Sequence, residues 1–187
     1  DGTKFYYLGN SAKTIYQYSL GSAYDVTDMT YDNASFSVST LNAVRDMKFS
    51  NDGTKLFISD WQNGRIYQYS LSTAYDISTA SSDSVSLFVS SQDAQVGGFA
   101  FKPDGTKLFV VTDNNDNMYQ YSLSTGYDLS TASYDNVSFN SGAVAGSDCR
   151  AMQLSNDGKK ILVMGYGNRT VYQINLTTAY DLSTAQS

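Results

Sequence analysis

The sequence predicts an all-β fold in which one antiparallel unit is repeated four times along 187 residues. Three dipeptides recur with the same spacing, and the segments between them alternate as strands do. An Asp-Gly pair begins at Asp1, Asp52, Asp104 and Asp157, a Tyr-Gln pair at Tyr16, Tyr67, Tyr119 and Tyr172, and a Tyr-Asp pair at Tyr24, Tyr75, Tyr127 and Tyr180. Each series advances by 51, 52 and then 53 residues, which gives the repeats 1–51, 52–103, 104–156 and 157–187. A strand-rich repeat of about fifty residues is typical of the blades of a β-propeller.

The second repeat shows the four strands, A to D, that each complete unit supplies. Its first strand alternates apolar and polar residues, and the second is a continuous apolar run suited to burial between sheets. The third alternates aromatic and β-branched residues, which favour a pleated setting. A hairpin turn at residues 51–54 joins A to B, with Gly53 taking a positive φ. The strands are predicted at residues 44–50, 55–60, 65–72 and 83–91.

The other repeats fit the same frame, but the first and last are shorter. Repeat three supplies strands at residues 96–102, 107–112, 118–124 and 136–141, and repeat four at 150–155, 160–164 and 171–176. Repeat one begins at the A–B turn, so 14 strands are predicted, without the first A and the last D strand. The chain is thus a single domain or a segment of a longer array. A ring could close imperfectly, take strands from other residues, or be completed by another copy through edge strands.

Composition excludes several functions. Sixteen Tyr and nine Phe supply a core, while a net charge of −6 argues against a nucleic-acid partner, and no apolar stretch is long enough for membrane insertion. The chain has no His, and all 18 acidic residues are Asp, which removes Ser-His-Asp and Cys-His catalysis, His-ligated metals and Glu acids or bases. We expect no cofactor. Cys149 is the only cysteine and is expected to be a small buried apolar residue.

The four copies differ in only two of their loop sets. The A–B turns and C–D connections are nearly constant, whereas the B–C turns and D–A links differ in every copy. In a propeller these two variable sets lie on one face, and variable loops on a rigid scaffold are where binding usually occurs. The B–C turns lie at residues 9–12, 61–64, 113–117 and 165–169.

The chemically distinctive side chains fall in or beside these variable loops. They are all four arginines, the only tryptophan, and neighbouring Asp and Tyr residues. The predicted ligand-binding set is Trp61, Arg45, Arg65, Asp60, Asp113, Asp116, Arg150, Tyr166 and Arg169. An exposed indole can stack on a sugar ring while arginine and Asp give directed hydrogen bonds. The alternative is that Trp61 caps a blade edge and the arginines solvate the rim.

Three groups of Asp residues have both structural and chemical interpretations. The Asx-rich loop with Asp113 and Asp116 could ligate Ca²⁺ but lacks the Gly and Glu of an EF-hand loop, so a hairpin turn and no metal is favoured. Asp46 and Asp148 could meet near the channel as an acid–base pair, although their spacing does not require it. The repeated Asp of the Tyr-Asp pairs suits a turn or a short-helix cap. Its copies are Asp25, Asp76, Asp128 and Asp181.

Two segments carry a resemblance to a known family. Residues 49–58 (FSNDGTKLFI) and 101–110 (FKPDGTKLFV) resemble the strand–turn–strand signature of YVTN and TolB-like propeller repeats. The longer phrase at residues 66–76 (IYQYSLSTAYD) resembles repeat proteins of marine bacteria and their phages. The resemblance implies the propeller fold over the whole chain but no particular activity. Repeat four departs from the pattern, with Lys159-Lys160 and Ile174-Asn175 where other copies have Thr-Lys and Tyr-Ser.

These observations favour one function over two alternatives. We expect a non-enzymatic binding or adhesion module, extracellular, on a cell surface or on a virion, that binds a glycan or surface protein through its variable face. The first alternative is a structural unit of an extracellular fibre in which copies share strands. The second is an Asp-based hydrolase or lyase, with no catalytic residue yet assigned.

Overall fold

The computed structural model describes residues 1–186 and confirms an all-β fold arranged as a four-blade β-propeller. Each blade is one antiparallel sheet whose strands pair in chain order. Blade 1 contains β1 (Lys4–Gly9), β2 (Thr14–Leu20) and β3 (Met29–Ser37). Blade 2 contains β4 (Val44–Phe49), β5 (Lys55–Asp60), β6 (Arg65–Leu71) and β7 (Ala80–Phe88). Blade 3 contains β8 (Val96–Phe101), β9 (Lys107–Thr112), β10 (Asn117–Leu123) and β11 (Ala132–Asn140). Blade 4 contains β12 (Cys149–Leu154), β13 (Lys160–Gly165), β14 (Thr170–Leu176) and β15 (Ala185–Gln186).

The last strands of blades 2 and 3 begin earlier than the sequence pattern indicates, and β11 starts at Ala132 rather than at residue 136. Strand β7 starts at Ala80 rather than at residue 83, because the register shifts between Gln68 and Tyr69 and the chain bulges through Ser84 at φ 57°. A bulge breaks the two-residue alternation on which the prediction relied. For the same reason the prediction of 14 strands is one too low within the described residues, since Ala185–Gln186 already pairs with β14.

The constant dipeptides recur because they contact one another. In blade 2 the Tyr75 backbone N–H donates to the Gly53 carbonyl at 2.9 Å, and the Tyr75 hydroxyl donates to the Asn51 carbonyl at 2.6 Å. Gly53 has φ +71°, and a Cβ there would lie 2.3 Å from the Tyr75 ring. The A–B turn therefore requires glycine both for its conformation and for the aromatic ring above it.

The repeated Asp residues are helix caps, as predicted. Each accepts the backbone N–H two residues further on and begins a three-residue 3₁₀ helix. These helices are Val26–Asp28, Ile77–Thr79, Leu129–Thr131 and Leu182–Thr184, and the chain also forms α1 (Gly142–Ala145). No helix in residues 1–186 is both long and apolar enough to cross a membrane.

Three apolar clusters join consecutive blades. One lies between blades 1 and 2, one between blades 2 and 3, and one between blades 3 and 4. Phe57 of blade 2, for example, is fully buried with its ring centroid 4.6 Å from that of Phe101 in blade 3. Cys149 is also fully buried, as expected, and burial raises its pKa to about 11. No such cluster joins blade 4 to blade 1 within residues 1–186.

Candidate functional site

Five of the predicted ligand-binding residues meet on the variable face. They come from blades 2, 3 and 4, and we call them the Asp113 cluster: Arg45, Trp61, Asp113, Arg150 and Tyr166. The Trp61 indole N–H donates to Asp113 Oδ2 at 2.7 Å. Arg45 Nη2 lies 3.6 Å from the same oxygen, and Arg150 Nε lies 3.7 Å from Asp113 Oδ1. One carboxylate therefore holds an indole and two guanidinium groups together.

Each arginine of the cluster is also stacked on an aromatic ring. The Arg45 guanidinium carbon lies 4.6 Å from the Trp61 ring centroid, and that of Arg150 lies 3.8 Å from the Tyr166 centroid. Such cation–π contacts fix the plane of a guanidinium group without using its N–H donors. Tyr166 is 55% exposed, so the Arg150–Tyr166 stack faces solvent.

The repeat itself places these side chains together. Trp61, Asp113 and Tyr166 occupy the same position of successive B–C turns, and each backbone N–H donates to a carbonyl of the preceding D–A link at 2.8 to 3.0 Å. Arg45 and Arg150 likewise occupy equivalent positions of β4 and β12, the first strands of their blades. Because the first strands of propeller blades converge, equivalent positions lie close together.

The cluster is a set of charges that are only partly solvated. Asp113 is 7% exposed, and this burial raises its pKa, although the Trp61 hydrogen bond and the charges of Arg150 and Arg45 act in the opposite direction. Burial and the neighbouring Arg150 charge lower the pKa of Arg45. Asp148 lies 3.7 Å from Arg150 and is 43% exposed at its side chain. The two arginines and the two aspartates therefore nearly balance one another in charge.

The guanidinium groups retain their hydrogen-bonding capacity. Within residues 1–186, neither Arg45 nor Arg150 donates a side-chain hydrogen bond to the protein. Arg150 Nε and Asp113 Oδ1 are both buried without a hydrogen-bond partner. A guanidinium group carries five N–H donors in a planar fork. The side chains of Arg45 and Arg150 are 23% and 28% exposed, so their donors other than the buried Arg150 Nε–H remain available to a ligand.

Two acidic residues of the predicted set have structural roles instead. Asp60 is fully buried and accepts the backbone N–H groups of Asn42 and Ala43 at 2.8 and 3.0 Å. Asp116 accepts the backbone N–H of Cys149 at 3.0 Å. Asp60 fastens the end of β5 to the D–A link that precedes blade 2, and Asp116 fastens a B–C turn of blade 3 to the start of β12. Both lie outside the Asp113 cluster, so the expectation that they face a ligand needs correction.

Two arginines of the predicted set also lie outside the cluster. Arg65 covers the Phe88 ring, 4.4 Å from its centroid, and donates to the Ser86 hydroxyl at 2.9 Å. Arg169 is exposed in the last B–C turn with φ 54°. Both fit the alternative in which arginines solvate the rim.

The expectation of an exposed indole is wrong. Trp61 is half-buried, its N–H is held by Asp113, and Arg45 covers its ring. The exposed aromatic ring of the cluster is that of Tyr166. Trp61 therefore positions the Asp113 carboxylate and the Arg45 guanidinium group and does not present a free ring face to a ligand.

The other predicted carboxylate sites are not assembled. The Asx-rich loop forms a turn in which Asn115 Oδ1 accepts from the Thr112 hydroxyl and the Asn117 N–H. No group of three or more His, Cys, Asp or Glu side chains in the described part of the chain could hold a metal ion. Asp46 and Asp148 have different partners, the Phe99 N–H at 3.1 Å and Arg150 respectively.

Comparisons with known proteins show similarity of structure only. No family model matches the chain, and no curated protein matches it. A candidate 6-phosphogluconolactonase of Bacteroides uniformis matches all of this chain and 50% of its own, at TM-score 0.67 and 12% identity. The periplasmic gluconolactonase PpgL of Pseudomonas aeruginosa matches all of this chain and 51% of its own, at TM-score 0.67 and 14% identity. A chain of the mitotic checkpoint complex matches 95% of this chain and 47% of its own, at TM-score 0.62 and 13% identity.

These matches support the propeller fold and say little about activity. The matched proteins include lactonases and a chain of a checkpoint complex, so the same fold serves unrelated functions. The chain spans about half of the length of each of these solved structures.

Proposed function

We propose that the chain is an extracellular binding module that recognises a carboxylate-bearing glycan through the Asp113 cluster. The observation that carries the proposal is the pair of guanidinium groups, Arg45 and Arg150, which are stacked on aromatic rings yet donate no hydrogen bond within residues 1–186. Their position on the diversified face agrees with a role in recognition, since variable loops on a rigid scaffold commonly carry binding residues.

The geometry of the cluster suits an acidic sugar. A planar guanidinium group matches a carboxylate with two parallel hydrogen bonds, and such charge-assisted bonds are about twice as strong as neutral ones. The exposed Tyr166 ring beside Arg150 offers an apolar surface for the face of a sugar ring. Asp113 holds the two guanidinium groups close together in a chain whose net charge is −6.

Calorimetric titration with oligogalacturonate, compared with a neutral galacto-oligosaccharide, tests the proposal. We expect saturable binding of the charged oligosaccharide alone, and at least about a tenfold loss of affinity in Arg150→Gln, which removes a charge-assisted contact. Arg169→Gln is the matched control, because Arg169 is an exposed arginine of the same blade outside the cluster. Equal binding of both sugars, or an equal loss in both variants, would contradict the proposal.

Hydrolysis of a sugar lactone is a second candidate. It is favoured by the names of two structural neighbours and by a buried carboxylate, Asp113, whose pKa is raised beside two arginines. Acid release from gluconolactone at constant pH measures the activity. Turnover above the spontaneous rate that Asp113→Asn abolishes would replace the binding proposal with an enzymatic one, whereas acid release at the spontaneous rate would leave binding as the function.

A further inference from the structure

The same junction forms three times inside the chain. In each case a glutamine in strand C of one blade (β2, β6 or β10) accepts a hydrogen bond from a backbone N–H of the 3₁₀ helix in the following blade. The pairs are Gln17 with Ile77 at 3.0 Å, Gln68 with Leu129 at 2.9 Å, and Gln120 with Leu182 at 2.8 Å. All three bonds are buried, so they are specific features of blade-to-blade packing.

Each of these glutamines is also fixed from its own blade. The amide nitrogen donates to an Asp of the last strand, at 2.9 Å for Asp32, 2.8 Å for Asp83 and 2.7 Å for Asp135. In every case a lysine of strand B in the same blade also forms a salt bridge with that carboxylate. The amide oxygen is thereby held toward the next blade.

Blade 4 carries an equivalent surface on which nothing is packed within residues 1–186, although the Gln173 amide nitrogen donates to Asn175 Oδ1 at 2.9 Å rather than to an Asp of the last strand. Gln173 is exposed, whereas its three equivalents are 4 to 5% exposed. Val171 is 61% exposed, whereas the residues at its position in the other blades are fully buried. Leu162 is 44% exposed, whereas Phe57 and Phe109 at its position are fully buried. We call these three residues, Leu162, Val171 and Gln173, the leading face of blade 4.

Blade 1 carries the complementary surface, also uncovered. Val26 begins its 3₁₀ helix and is 59% exposed, whereas its three equivalents are 0 to 3% exposed. Phe5 and Tyr7 of β1 are 37% and 54% exposed, whereas the residues at their positions in the other blades are at most 1% exposed. We call Phe5, Tyr7 and Val26 the trailing face of blade 1.

We propose that the leading face of blade 4 binds the trailing face of blade 1 in a second copy of this chain. The two faces are the two halves of a junction that the chain forms three times internally, so the proposed contact continues an existing interface. In the junction the Val26 backbone N–H donates to the Gln173 side chain, and Val26 packs beside Val171 and Leu162. Each copy has one leading and one trailing face, so a pair of copies is the smallest assembly that covers both.

In a pair that covers both faces the two junctions are related by two-fold symmetry, and each joins the leading face of one copy to the trailing face of the other. Each junction therefore differs from pairing of strand edges and from association of two identical apolar patches. This distinction gives an experiment that needs no knowledge of any ligand. Val171→Asp places a charge on the leading face, and Val26→Asp places a charge on the trailing face. Both positions are exposed in the single chain, so neither change disturbs its core.

Sedimentation velocity of the 187-residue chain and of these variants tests the proposal. We expect the unmodified chain to form pairs, and either variant alone to associate at least roughly 100-fold more weakly, because a carboxylate would be buried in an apolar contact. Ser138→Asp is the matched control, since it adds the same charge at an exposed position of β11 outside both faces, and it should pair normally.

Mixing the two variants is the decisive step. The mixture contains one intact leading face, on Val26→Asp, and one intact trailing face, on Val171→Asp, so a one-to-one complex should form where neither variant alone associates. A complex in the mixture also shows that both variants are folded. A monomeric unmodified chain, association unaffected by either change, or failure of the mixture to form a complex would overturn the proposal.

Discussion

Replacing Gln68 with alanine should destabilise the chain by about 2 to 3 kcal/mol, because it removes both halves of a buried bridge between blades 2 and 3. Gln68 is 4% exposed, accepts the Leu129 N–H at 2.9 Å and donates to Asp83 at 2.8 Å. A buried N–H left without a partner costs about 1 to 3 kcal/mol, and the lost donor to a carboxylate adds to this. Asp83 retains Lys55, which limits the second loss.

The chain contains its own control for this experiment. Gln173 occupies the same repeat position but is exposed and has no following blade within the described residues, so Gln173→Ala should change stability by less than about 0.5 kcal/mol. Both changes are compared in the Val171→Asp background, which keeps the chain monomeric if the proposed junction exists. Urea unfolding followed by Trp61 fluorescence gives the two transition midpoints. A loss of stability in Gln173→Ala equal to that in Gln68→Ala would show that the bond between the blades is not what stabilises the chain.

Two further predictions concern titratable groups. Although burial acts to raise it, hydrogen bonds from Lys4 and two further side chains lower the pKa of Asp32 to about 2, below the ordinary value of 3.8. The stability contributed by this lowered pKa is present above about pH 4 and is lost as the pH falls toward 2, so the acid dependence of urea unfolding should be shallower in Asp32→Asn. Cys149 should react with a thiol reagent at pH 8 roughly 100-fold more slowly in the folded chain than in urea, because burial raises its pKa to about 11, and equal rates would show that the thiol is accessible.

The repeat made most of the fold predictable. The Asp-Gly and Tyr-Asp pairs recur because, as in blade 2, the tyrosine of the C–D connection covers the glycine of the A–B turn, Tyr75 on Gly53. The spacing of these pairs along the sequence therefore gives the length of one blade. The starts of the last strands were missed because the bulge at Ser84 interrupts the alternation of side chains. Local pattern therefore located the elements but not the irregular pairing between them.

The site was only partly predictable, because neighbouring positions in a strand and its turn point in opposite directions. Asp60 and Asp113 both flank a B–C turn, yet Asp60 faces the backbone of the D–A link and Asp113 faces two arginines. The equivalent repeat positions of Arg45 and Arg150 were the available signal that these residues converge. Exposure was not readable at all, since Gln173 and Gln68 occupy the same position of the repeat, yet Gln68 is buried and donates to Asp83 whereas Gln173 is exposed and donates to Asn175.

The indole N–H resonance of Trp61 offers the most direct test of the proposed binding site. Trp61 is the only tryptophan, and its N–H is bound to Asp113 at 2.7 Å, so a two-dimensional NMR spectrum contains one indole signal that reports on the cluster. We predict a saturable shift of this signal with oligogalacturonate, none with the neutral galacto-oligosaccharide, and a weakened response in Arg150→Gln. An unmoved signal at concentrations where calorimetry detects binding would place the ligand elsewhere and contradict the account.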